Sequence, residues 1–176
     1  MLENFAGNKN LISILNGMLK GGHLPHAILI EGADGLGKRT VARELAKSIL
    51  CMNGTEFCNE CRSCKLFDAG SNPDCSVISP QKNIISVDEI RSLRRRAYDR
   101  PDRCERKVYI IEDAEKMNVS AANAFLKILE EPPQYVVFIL LATSASMLLE
   151  TIISRCTVLT LNAPTFTEAK AVLKNM

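Results

Sequence analysis

Residues 27–40 read Ala-Ile-Leu-Ile-Glu-Gly-Ala-Asp-Gly-Leu-Gly-Lys-Arg-Thr. An apolar run, a glycine loop and a lysine that opens a helical pattern leave few folds available. In that arrangement backbone N–H groups and a helix N-terminus converge on phosphate oxygens. Gly32 and Gly37 bracket four residues and Lys38 follows at once, which completes G-x-x-x-x-G-K. The next position, where a Ser or Thr hydroxyl would meet a nucleotide-bound magnesium ion, is Arg39. Thr40 comes one residue later, about 100° further round a helix, and does not simply take its place. Gly32, Gly35, Gly37, Lys38, Arg39 and Thr40 are therefore the candidate nucleotide residues. ATP or ADP is the expected ligand, and the missing hydroxyl weakens the case for Mg2+ and for hydrolysis.

A second apolar run, Lys107-Val108-Tyr109-Ile110-Ile111, ends in Glu112-Asp113. In a phosphate-loop ATPase one acid here holds the metal and the next orients the attacking water. The usual order is Asp then Glu, so this pair is inverted and each carboxylate is one methylene out of place. The run Val136 to Leu141 is a further strand, and Thr143 stands just beyond its carboxyl end, where ligands of open parallel sheets bind.

Cys51, Cys58, Cys61 and Cys64 follow the loop helix directly. Two overlapping C-x-x-C steps with a fourth thiol nearby supply the ligands of a closed tetrahedral Zn2+ site. Bacterial iron–sulfur runs place their fourth cysteine before a proline, and no such pair occurs here. A closed four-thiolate shell leaves no position for water, so its expected role is scaffolding. Cys75, Cys104 and Cys156 lie in or beside strands, where a buried, inert thiol is expected.

Elsewhere, Leu11, Ile12, Ile14, Leu15, Met18 and Leu19 recur at helical spacing, and Gly21-Gly22 ends that helix. His23 and His26 lack a metal-ligand partner at a suitable spacing and read as turn and strand-entry residues. Cys75 to Ser79 is a short strand. Ser86 and Glu89 form a capping box, so a helix begins near Val87. It crowds Arg91, Arg94, Arg95 and Arg96 around a narrow apolar stripe; that basic face is either solvated or in contact with phosphates or an acidic partner. A helix is expected over 118–131, stopped by Pro132-Pro133. A short helix over 147–153 and a strand over 156–161 come next, and Thr165 to Asn175 starts another helix.

At 176 residues and 47% apolar composition the chain suffices for one well-buried core. Its longest apolar run is too short to cross a bilayer, and Met1-Leu2-Glu3-Asn4 lacks the basic start of a signal peptide. A cytoplasmic protein with no membrane contact is expected, and a formal charge of +2 says little by itself about nucleic acid.

Taken together, GADGLGKRT, the four cysteines, KVYIIEDAEKMN, NAFLKILEEPP, Ala142-Thr143-Ser144 and Ser154-Arg155-Cys156 resemble the first domain of bacterial DNA polymerase III clamp-loader subunits. The resemblance covers nearly the whole chain. It implies an α/β AAA+ P-loop fold: a three-layer αβα sandwich with a five-stranded parallel sheet of order 5-1-4-3-2 and an inserted zinc module. The AAA+ domain would span 1–163 with the insertion at 51–72, and 164–176 would open a helical lid that continues in a longer protein. Lys38-Arg39 and Glu112-Asp113 depart from the gamma/tau motor branch and resemble the delta-prime branch. That branch is largely non-hydrolysing and lends the arginine of its SRC motif, here Arg155, to a neighbour's ATP. The implied partners are gamma/tau and delta subunits in a hetero-pentamer, with the sliding clamp and primer-template DNA reached through the assembly. A working gamma/tau-type ATPase and a purely structural scaffold with a vestigial site remain alternatives.

Overall fold

The computed structural model describes residues 8–165. The expected lid helix from Thr165 falls almost wholly outside them. Five parallel strands form one sheet: β1 (Ala27–Glu31), β2 (Cys75–Ile78), β3 (Lys107–Ile111), β4 (Val136–Ala142) and β5 (Thr157–Thr160). Their order is β2-β3-β4-β1-β5, which is the expected 5-1-4-3-2 read from the other edge. Register is continuous across the centre, where Leu29 faces Leu140 on one side and Val158 on the other.

β1, β3 and β4 read as unbroken apolar runs because both faces of the sheet are covered. All seven residues of β4 are buried. Successive side chains take opposite faces, so one strand feeds two cores. Ile28 and Ile30 join Val108, Ile110, Val137, Ile139 and Leu141 beneath helices α1 (Lys9–Gly21) and α2 (Lys38–Ile49). Leu29, Tyr109, Ile111, Phe138 and Leu140 pack on the other face beneath α4 (Val87–Tyr98), α5 (Val119–Glu130) and α6 (Glu150–Ile153). There Phe138 meets Phe125 edge to face at 5.2 Å and Tyr109 at 5.7 Å. Deleting such a buried ring costs a core about 3–5 kcal/mol. Helix α3 (Arg62–Asp68) belongs to the cysteine insertion and contributes Phe67 to the first core.

Local chemistry sets the helix ends. Ser86 accepts the Glu89 N–H while the Glu89 carboxylate accepts the Ser86 N–H at 2.7 Å, so the capping box is formed. At the other end of α4, buried Lys107 donates to the carbonyls of Arg96 and Asp99 at 3.1 and 2.9 Å. Those are acceptors that a helix C-terminus leaves open.

The expected continuous helix over 147–153 is replaced by two pieces, a 3₁₀ turn at Ala145–Met147 and α6, separated by extended backbone at Leu148 and Leu149. The Glu31 carboxylate anchors the Ala145 N–H at 2.7 Å. This tether fixes the start of the 3₁₀ turn against the end of β1.

Candidate functional site

The phosphate loop occupies the carboxyl edge of the sheet. A Cβ on Gly32 would meet the Leu161 carbonyl oxygen at 2.5 Å, so only glycine lets the chain turn past the end of β5. Gly37 stands at the N-cap of α2 with φ 88°, a left-handed conformation that suits glycine. Gly35 lies at the open tip of the loop. Lys38 is buried, and its ammonium folds back over the loop, donating to the Gly32 and Ala33 carbonyls at 2.5 and 3.1 Å and meeting Asp34 at 3.2 Å.

Arg39 reaches across to the acid pair. Its Nε lies 3.2 Å from Glu112 and its Nη2 4.0 Å from Asp113. Glu112 is fixed from behind by the Ser79 hydroxyl at 2.7 Å. Asp113 holds a left-handed φ of 47°, uncommon for a residue with a side chain. A cavity of about 490 Å3 opens between these groups, lined by Gly35, Lys38, Arg39, Asp113, Glu115 and Thr143 among others. That volume lies in the range of small-molecule sites.

Two expected residues behave differently from their neighbours. Thr40 is exposed and points away, lining a separate cleft with Arg43, Glu44, Lys47, Phe57 and Asp68. Thr143 lines the main cavity, but its N–H and hydroxyl both donate to Glu115 Oε1, at 3.1 and 2.8 Å. The other Glu115 oxygen is buried without a hydrogen-bond partner. Glu115 escaped sequence reading. Its only signal is its place two residues after the acid pair, in the turn that closes β3.

The cysteine insertion forms its own centre. The sulfurs of Cys51, Cys58, Cys61 and Cys64 all lie within 4.8 Å of one another. Zn–S bonds of about 2.3 Å put tetrahedral sulfurs roughly 3.8 Å apart, so a small contraction on binding would close the shell. Backbone N–H groups already serve the sulfurs: Cys61 donates to Cys58 Sγ at 3.3 Å and Cys64 to Cys61 Sγ at 3.4 Å. Burial pushes the Cys61 thiol up, but N–H groups from Met52 and Cys64 outweigh it and bring it to about 6. Burial dominates at Cys64, raised to about 12. Thiolate character is thus already favoured at Cys61, and the four residues fit a metal ion. Away from this centre, burial raises Cys75 and Cys156 to about 11, in keeping with inert thiols.

Arg155 lies apart from both centres. It follows α6 and precedes β5, so it sits at the amino edge of a parallel sheet whose carboxyl edge carries the phosphate loop. Its guanidinium rests on the Thr151 carbonyl at 3.0 Å and on Glu130 at 3.3 Å.

A five-stranded parallel αβα sheet with a G-x-x-x-x-G-K loop after β1 and acids after β3 defines a P-loop module of the AAA+ class. More particularly, the chain belongs to the clamp-loader family of DNA polymerase III. Residues 7–165 match the family described as DNA polymerase III, delta subunit. The delta' subunit of Bacillus subtilis is 37% identical over 147 residues, covering 83% of this chain and 45% of that one. The gamma subunit of Buchnera aphidicola is 36% identical over 156 residues, covering 88% and 43%. Among solved structures, a gamma subunit-related protein of Thermotoga maritima superposes with a TM-score of 0.69 at 29% identity, covering 94% of this chain and 49% of that one. The chain spans less than half the length of each of these relatives.

Proposed function

We propose that this chain is the N-terminal AAA+ module of a delta-prime-type subunit, a largely non-hydrolysing member of the clamp loader. In this reading Arg155 supplies a trans arginine finger to the ATP of a gamma/tau neighbour. The assembly, a cytoplasmic hetero-pentamer with gamma/tau and delta, places the sliding clamp on primer-template DNA during replication. The AAA+ module takes residues 1–163, with the insertion at 51–72 held by structural Zn2+ on Cys51, Cys58, Cys61 and Cys64; residues 164–176 begin the lid. ATP or ADP would occupy the loop at Gly32, Gly35, Gly37 and Lys38, beside Arg39, Glu112, Asp113 and Thr143.

The observation that carries this reading is the Arg39–Glu112 ion pair. A guanidinium stands where hydrolysis needs a hydroxyl, and it engages an acid that would otherwise hold the metal. Arg155 supports the same reading from the other side. At the amino edge of the sheet it is out of reach of its own phosphate loop, so any phosphate it serves belongs to another subunit. A planar, permanently charged arginine acting in trans is worth about 10³–10⁵ in rate.

The test is a loader reconstituted with the full-length subunit. Arg155→Ala and Arg155→Lys should both lower its DNA-stimulated ATPase rate by at least about tenfold, a threshold set below that range because other subunits of the loader keep their own arginines. Folding and metal content should be unchanged. Lysine keeps the charge and loses the planar fork, so it should rescue little. Unchanged hydrolysis and clamp loading with Arg155→Ala would end the trans reading. The rival, a gamma/tau-type motor, is favoured by the nearly equal likeness to the Buchnera aphidicola gamma subunit. Robust ATP turnover by the purified full-length protein would select it.

A further inference from the structure

The acid pair after β3 is the place where a phosphate-loop protein keeps its divalent cation, and here that place already holds a positive charge. Glu112 is two-fold committed, to Arg39 Nε at 3.2 Å through one oxygen and to the Ser79 hydroxyl at 2.7 Å through the other. Asp113 faces the far nitrogen of the same guanidinium at 4.0 Å. Arg39 itself occupies the helix position whose hydroxyl would be the protein's direct ligand to Mg2+. One substitution therefore removes a metal ligand and brings a permanent cation to the remaining ones. The residues present do not fit a magnesium ion.

The rest of the cavity still suits polyphosphate. Lys38 is buried at its floor, and the N-terminus of α2 opens onto it. The Lys38 ammonium meets only two loop carbonyls and the exposed Asp34 carboxylate, contacts that an incoming phosphate can replace. Lys116 also lines the cavity, its ammonium bonded to Asn83, and Asp34, Asp113 and Glu115 are the acids on its wall.

We infer that Arg39 is a tethered substitute for the divalent cation, so that this site takes ATP or ADP in the metal-free form and discriminates against the magnesium complex. The inference rests on reading residues 32–40 as a nucleotide site, and it adds the ionic form of the ligand. Two physical causes set the direction. Excess Mg2+ depletes metal-free nucleotide, and the complex would bring a divalent ion against the Arg39 guanidinium, a like charge.

The experiment is calorimetric titration of the full-length protein with ATP, in EDTA and then in excess Mg2+. Unaltered protein should bind in EDTA and lose about tenfold or more in apparent affinity with Mg2+, a change of 1.4 kcal/mol. Arg39→Thr restores the hydroxyl and frees both acids, so it should reverse the sign and bind more tightly with Mg2+. Arg39→Ser is the second variant should threonine disturb the first turn of α2. Lys38→Ala should abolish binding in both media. A metal readout runs in parallel: with ATP present, Mn2+ paramagnetic resonance should detect bound ion in Arg39→Thr and none in the unaltered protein. Binding by the unaltered protein that needs Mg2+, or an identical metal response in Arg39→Thr, would overturn the inference and leave the nucleotide site standing. Failure to bind in either medium would overturn both.

Discussion

Asp74 carries more of the structure than its place in a surface-type turn suggests. Its buried carboxylate accepts backbone N–H groups from Asp102, Arg103 and Cys104 at 2.7, 2.8 and 2.8 Å, clamping the loop before β3 to the start of β2. Burial raises its pKa, but the three N–H donors outweigh burial and hold it below the ordinary carboxylate value. A depressed folded value means that the carboxylate adds stability above the unfolded pKa and loses it as pH falls through the folded value. Asp74→Asn should thus cost about 2–3 kcal/mol at pH 7, by leaving buried donors poorly satisfied. Urea unfolding at pH 7 and at successively lower pH checks it: the gap between variant and unaltered protein should shrink as pH falls through and below the ordinary carboxylate range. A constant gap would mean that the carboxylate charge is not what matters. Asn72-Pro73-Asp74 reads in sequence only as a turn, because its hydrogen-bond partners lie 28 to 30 residues away. The Ser86–Glu89 capping box was legible for the opposite reason: both partners lie within one helical turn. Arg39 was half legible. The missing hydroxyl is a fact of sequence, whereas its ion pair with Glu112 requires β3 beside α2.

At the scale of elements, the cysteine insertion is tied to the loop helix by Lys47. This buried ammonium on α2 donates to Asn59 at 2.6 Å and to both Asp68 oxygens at 2.7 and 2.8 Å, and lies 4.8 Å from the Phe57 ring centre. Phe67 then anchors α3 in the core under Arg43. These contacts hold the insertion at Phe57, Asn59, Phe67 and Asp68, and Glu56 meets Lys20 at 3.7 Å; Cys51 and Asn53 are tied in through the sulfur cluster, where Asn53 donates to Cys58 Sγ at 3.6 Å. Purified protein should contain one zinc per chain, and Cys61→Ser with Cys64→Ser should lose it. Chelation should then raise amide exchange across 51–64 far more than in β4. Zinc retained by the double variant would exclude the four-cysteine site. Cysteine spacing made this centre readable from sequence, since ligand identity and distance along the chain are what a tetrahedral shell needs. The short helix expected over 147–153 begins only at Glu150, since the sequence of that stretch cannot register that Glu31 takes the Ala145 N–H.

For the whole molecule, strand runs and the P-loop announce a parallel sheet, but their order came from the family resemblance, since five apolar strands do not by themselves specify neighbours. The parallel direction of β5 then constrains what Arg155 can do, by setting it at the amino edge, opposite the phosphate loop. The chain also supplies a resting partner that sequence could not reveal: Glu130, the last residue of α5, at 3.3 Å. Magnitude separates a structural pair from a parked finger. Both groups are substantially exposed, 36% for Arg155 and 54% for Glu130, and such pairs are worth about 0.2–1 kcal/mol. Glu130→Gln should therefore change the unfolding free energy by less than about 1 kcal/mol. If Arg155 acts in trans as proposed, breaking the same pair is the cost of moving it onto a neighbour's phosphate, so the variant should lower the ATP concentration that half-saturates a reconstituted loader by no more than about fivefold, the equivalent of 1 kcal/mol. Arg155→Ala, by contrast, breaks the pair but removes the contact as well, so it should cost hydrolysis rate and should not lower that concentration. If Glu130→Gln instead reduced the rate as severely as Arg155→Ala, Glu130 would be orienting the finger in the working assembly, and the parked state would have to be given up.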